Sequence, residues 1–164
     1  MLEGFSREIK FVEYKGLEAG RLYYAIGHNS PYLLIAAKNE NDVIIGIPVS
    51  EAEGRFRLKE VSTEGGFLDL GPLTVECSLD PTAFKISIGH QDDVSGSLVV
   101  AQSGPIAIAL WQTQDRRYYL PFEDNKLRYA NMGSRRAVCK KWRIVIPTSV
   151  AEPGFSSFLI DVGN

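Results

Sequence analysis

Apolar and polar residues alternate without a break through 73–79, Leu-Thr-Val-Glu-Cys-Ser-Leu. A period of two sends successive side chains to opposite faces of an extended backbone, so this stretch reads as a β-strand with one face on a core and one in water. The same alternation returns in Phe84-Lys85-Ile86-Ser87-Ile88 and in Trp142-Arg143-Ile144-Val145-Ile146. It predicts burial of Val75, Cys77, Leu79, Phe84, Ile86, Ile88, Ile144 and Ile146. It sends Thr74, Glu76, Lys85, Ser87 and Arg143 outward or to an interface.

Along the rest of the chain, short apolar runs are separated by turn residues. The pattern predicts strands near 21–27, 32–38, 43–48, 55–61, 67–70, 73–79, 84–89, 97–102, 105–112, 117–121, 141–147 and 157–162. Between them lie Gly27-His28-Asn29-Ser30-Pro31, Lys38-Asn39-Glu40-Asn41-Asp42, Gln91-Asp92-Asp93 and Ser103-Gly104-Pro105, composed of residues that tolerate or pre-set turn geometry. Many short strands without alternating helices predict a single all-β domain over 1–164: an antiparallel sandwich, jelly roll or barrel. Two stretches are less regular. Leu2, Phe5, Ile9 and Val12 have helical spacing, but Ile9-Lys10-Phe11 alternates and favours a strand over 7–14; in 123–132, Leu127 and Ala130 fit one short helical turn.

An aromatic-basic-aliphatic triplet occurs three times, as Phe56-Arg57-Leu58, Phe84-Lys85-Ile86 and Trp142-Arg143-Ile144. Three such units raise a three-fold β-trefoil as the alternative fold, although their spacing is irregular and any amphipathic strand produces this pattern.

Composition adds exclusions. The 164 residues carry a formal charge of −2, which provides no bulk attraction to nucleic acid or anionic membrane. No apolar run approaches the roughly 20 residues of a membrane helix. The start, Met1-Leu2-Glu3-Gly4-Phe5-Ser6-Arg7-Glu8, does not read as a signal peptide, so the expected compartment is the cytoplasm. Cys77 reads as a small buried hydrophobe, and Cys139 stands before Lys140, Lys141 and Arg143, a basic setting that lowers a thiol pKa. Whether the two cysteines pair does not follow from their spacing. His28 and His90 lack metal-ligand spacing, and His90-Gln91-Asp92-Asp93 reads as a solvated turn, so no metal site or cofactor is predicted. Asp80, Asp92, Asp93 and Glu123 are carboxylates with no visible pairing, and no nucleophile or phosphate-binding motif is present.

Charge distribution supplies the one functional hint. The segment 116–143 holds nine basic residues against Glu123 and Asp124, a charge of +7 that leaves −9 elsewhere. Aromatic residues interleave with the basic ones. The candidate ligand-binding set is Arg116, Arg117, Tyr118, Tyr129, Arg135, Arg136, Lys140 and Lys141. Charge holds an anion while aromatic faces stack. The favoured reading is a non-catalytic binding module that engages a protein partner through loops and this basic, aromatic-bearing face, as an inhibitor or assembly subunit does. A carbohydrate-binding, lectin-like domain is the alternative; a small enzyme built from scattered carboxylates or the two histidines is the third. A glycan or other polyanion is a further partner class, and the oligomeric state is left open.

Overall fold

A computed structural model of the chain describes residues 9–27, 32–49, 56–58, 60–78, 80–87, 95–102, 106–113, 116–129, 135–145 and 158–162, with backbone only at 111–113, 116 and 158–162. The fold is all-β and antiparallel. β1 (Lys10–Glu13), β2 (Arg21–Ile26), β3 (Tyr32–Lys38), β4 (Ile44–Pro48) and β5 (Gly66–Pro72) form a five-stranded sheet ordered β1-β5-β2-β3-β4. β7 (Phe84–Ser87), β8 (Leu98–Ala101), β9 (Ile106–Thr113), β10 (Arg116–Pro121), β11 (Arg128–Tyr129) and β12 (Arg136–Cys139) form a six-stranded sheet ordered β11-β10-β9-β8-β12-β7. β6 (Thr74–Cys77), β13 (Trp142–Val145) and β14 (Phe158–Val162) form a third sheet ordered β14-β13-β6. Among the described residues the only helical pieces are single 3-10 turns at Tyr14–Gly16 and Pro81–Ala83, and no helix is long and apolar enough to cross a membrane. Among the described strands the sheets do not close into a barrel, so the barrel expectation, and with it the barrel-based trefoil, is corrected to separate antiparallel sheets packed together.

One apolar core draws on all three sheets: Leu22, Ile35 and Ile47 from the first, Leu98, Ile108 and Leu120 from the second, Trp142 and Ile144 from the third. Burying each such aliphatic side chain contributes about 1.5–3 kcal/mol. β3 is covered on both faces, because Leu34 and Ala36 pack with Tyr23 and Phe67 in a second cluster. That explains its unbroken apolar run, which differs from the alternating pattern of a half-exposed strand.

A close joint between sheets gathers around Phe56. Its ring lies 5.6 Å from that of Trp142 at 47°. The Trp142 Nε1–H donates to the Gly96 carbonyl at 2.7 Å, the Ser95 hydroxyl donates to the Phe56 carbonyl at 3.2 Å, and the Phe56 amide donates to the Pro48 carbonyl at 2.7 Å. Gly96 has φ +88°, and a Cβ there would lie 2.6 Å from the Phe56 ring, so glycine is required both by conformation and by close approach.

Several expectations need correction. Residues 55–61 do not form a strand among the described positions: Phe56 itself has φ 56° and begins a turn, and the stretch belongs to the connection between β4 and β5 of the five-stranded sheet. The helical turn expected in 123–132 is replaced, in its described part, by a turn through Asn125 (φ 53°) and by β11; Leu127 still enters the core. β12 was not anticipated. It falls between the strands expected at 117–121 and 141–147, and it pairs with β8 on one side and β7 on the other.

The face assignments divide. Ile144 is fully buried, Glu76, Lys85 and Arg143 are exposed, and Val75, Thr74 and Phe84 are half-buried. Ile86 and Ser87 are reversed, since Ile86 is 63% exposed and Ser87 only 1%. The register explains this. The row Leu120–Ile108–Leu98–Cys139–Phe84 crosses the six-stranded sheet under the core, whereas the next row on the same face, Ile106–Val100–Ala137–Ile86, runs beyond it. The opposite face is covered as well: Val99, Ala107, Ala109 and Tyr119 cluster there, and Ser87 faces Arg136 across the ladder. Leu79, Ile88 and Ile146 lie outside the described residues.

Candidate ligand-binding groove

The five- and six-stranded sheets meet a second time where β3 ends. The Lys38 amide donates to the Asn125 carbonyl at 3.0 Å and the Leu127 amide to the Lys38 carbonyl at 2.8 Å, closing a short parallel bridge between Lys38 and Lys126. Beside the bridge, the β3–β4 turn is held by Asn39, whose Oδ1 accepts from the Asn41 amide at 2.8 Å and the Val43 amide at 3.0 Å. An asparagine that binds its own turn in this way holds a polar hairpin tip in one conformation. The Lys126 Nζ reaches Asp42 at 3.1 Å across the junction.

A groove of about 280 Å³ opens between these elements. Its apolar floor is Ile45, Leu58 and Leu127; its polar lining is Asn39, Glu40, Asn41 and Glu60; Tyr118 completes the wall. Tyr118 is half-buried and steadied by Tyr129, its ladder partner in β10–β11, with ring centroids 5.5 Å apart in an edge-on arrangement. Glu40, Asn41 and Glu60 are exposed. The groove thus combines hydrogen-bond acceptors, amides able to donate and accept, an aromatic ring and an apolar base, the composition of a small-molecule site with few oriented polar groups.

Among the described residues of the candidate set, only Tyr118 lines this groove. Tyr118 and Tyr129 are brought together, but Arg117 lies on the opposite face of β10, with Tyr119. Arg135 and Lys140 flank β12 on either side, roughly 16 Å apart at the rise of an extended strand. Arg135, Lys140 and Lys141 are exposed, whereas Arg136 is only 2% exposed inside the sheet and has a partner there. Arg136 therefore lies inside the sheet, apart from the exposed Arg135, Lys140 and Lys141. The Arg116 side chain, His28, His90, Asp92 and Asp93 lie outside the described residues. Arg128 pairs with Asp124 and Lys126 with Asp42, so part of the basic segment is already neutralised within the molecule.

The cysteines exchange the roles read from sequence. Cys77 is exposed and Cys139 buried; both are free thiols. Burial pushes the Cys139 thiol pKa up despite the neighbouring lysines. Among the described residues no group of three His, Cys, Asp or Glu side chains is placed to hold a metal ion. Asp80, considered above as an acid, caps the Pro81–Ala83 turn, and the Thr82 amide it accepts from holds its pKa below the ordinary 3.8.

Sequence reasoning missed Asn39, Glu40, Asn41, Leu58, Glu60 and Leu127 as a site. The turn at 39–42 was visible, but nothing in the linear pattern joins it to Glu60 or Tyr118. No family model matches the chain, and neither a curated protein nor a solved structure matches it.

Proposed function

We propose that the protein is a non-catalytic binding module that takes a hydroxylated, sugar-like ligand in the groove between the β3–β4 turn and β10. The observation that carries this reading is the groove's composition: Asn39, Asn41, Glu40 and Glu60 around an apolar floor beside Tyr118. Hydroxyl groups donate strong, charge-assisted hydrogen bonds to carboxylates, and asparagine side chains both donate and accept. The weakly apolar C–H face of a sugar ring suits Leu58, Leu127 and the Tyr118 ring. Two carboxylates disfavour a sulfated or phosphorylated ligand at the same place.

A glycan array followed by calorimetry tests this. Neutral glycans are expected to bind the wild type, and Tyr118→Ala and Glu60→Gln are expected to weaken binding at least tenfold, while Lys140→Ser with Lys141→Ser leaves it unchanged. Retention by heparin alone, abolished by the lysine changes, overturns the groove reading. Release of a cleaved glycan overturns its non-catalytic part.

A protein partner is the second reading. It is supported by the row Ile106–Val100–Ala137–Ile86, whose ends are 46% and 63% exposed and which shares its face with Arg135. An exposed apolar row rimmed by charge is a usual composition for protein contact.

A further inference from the structure

β12 passes through Lys140 and Lys141 directly into β13, so the six-stranded and three-stranded sheets share a corner. At that corner the Cys139 thiol donates to the Lys141 carbonyl oxygen at 3.2 Å, and the Ser78 amide donates to the same oxygen at 3.1 Å. Ser78 directly follows Cys77, the ladder partner of Trp142. Directly opposed residues share a face, so Cys77 of edge strand β6 lies on the face of the three-stranded sheet that carries the buried Trp142 of β13. Both cysteine-bearing segments therefore meet at one carbonyl, with Cys77 exposed and Cys139 buried.

We propose that Cys77 and Cys139 form a reversible disulfide that pins edge strand β6 to the β12–β13 corner, with Cys77 the residue that first meets the oxidant. The oxidant is a small disulfide such as oxidised glutathione. The Cys77 thiol gives its proton to solvent, and its sulfur attacks the small disulfide, breaking that S–S bond and releasing one glutathione thiolate. The Cys139 thiol then gives up its proton, and its sulfur attacks Cys77, displacing the second glutathione. Two protein thiols are oxidised to one disulfide while one small disulfide is reduced to two thiols. The exposed thiol is suited to the first step, and the buried one resolves it because β6 is held by a single ladder among the described strands. A bond here joins an edge strand to the interior of the neighbouring sheet, which limits fraying of β6.

The test uses the intact chain treated with oxidised glutathione under native conditions, followed by mass spectrometry and peptide mapping. The expected product has lost two hydrogens, retains no glutathione, carries a 77–139 cross-link and regains both thiols in dithiothreitol. Cys139→Ala is expected to hold one glutathione on Cys77, and Cys77→Ser to remain unmodified while folded. Circular dichroism of both variants checks that the fold is intact. A wild type that retains glutathione on Cys77, that dimerises through Cys77 or that does not react overturns the proposal.

Discussion

The five-stranded sheet meets the rest of the molecule at two places, one around Phe56 and one beside Leu58 and Glu60, and the two are finished differently. At the first, Phe56 is sealed against Trp142 and Gly96, and the polar groups around it are satisfied at 2.7–3.2 Å. At the second, two residues along, Leu58 is half-buried and Glu60 exposed, and about 280 Å³ is left open. The closed joint answers its polar groups internally. The groove sets exposed carboxylates and an exposed amide over an apolar floor. The first is what stability asks of an interface between sheets; the second is the seat of the proposed ligand.

The comparison breaks most visibly at Trp142. Trp142→Ala is expected to cost about 3–5 kcal/mol in denaturant unfolding, because it opens a cavity under Phe56 and leaves the Gly96 carbonyl without its donor. A similar contrast runs through the basic segment. Arg136→Ser should cost about 1.5–3 kcal/mol, since it removes a buried charged donor, whereas Arg135→Ser should change stability by less than about 0.5 kcal/mol. Equal effects in parallel melts would place Arg136 at the surface. Gly96→Ala sharpens the account of the closed joint: left-handed backbone and contact with Phe56 together should cost about 1–3 kcal/mol. A comparably small change is expected in the groove, where Glu60→Gln should leave the unfolding free energy within about 0.5 kcal/mol of wild type while weakening ligand binding at least tenfold.

Much of the fold was legible because alternation is a local property. The runs at 73–79, 84–88 and 142–146 each contain a strand, and Ile144 is buried as its parity requires. Parity states which residues share a face; it does not state whether another sheet covers that face. Ile86 shares its face with Phe84 but lies in the row beyond the core, and Ser87 lies on a face that is covered, so their burial was reversed. β12 was illegible because Arg136 supplies a charge where a central strand normally carries an apolar residue. Tyr118 and Tyr129 were singled out for their place among basic residues and do meet, yet the groove that Tyr118 lines is completed by Asn39, Asn41 and Glu60. Those residues arrive from the other sheet and from its β4–β5 connection, and only tertiary closure joins them.

The central claim is that the open joint is a ligand seat. The most direct measurement is a two-dimensional amide NMR titration of the labelled protein with the best neutral glycan from the array. The account predicts saturable shifts concentrated at Asn39, Asn41, Leu58, Glu60, Tyr118 and Leu127, with Phe56, Gly96 and Trp142 unmoved. Shifts centred on Arg135, Lys140 and Lys141, or no saturable shift with any neutral glycan, would contradict it.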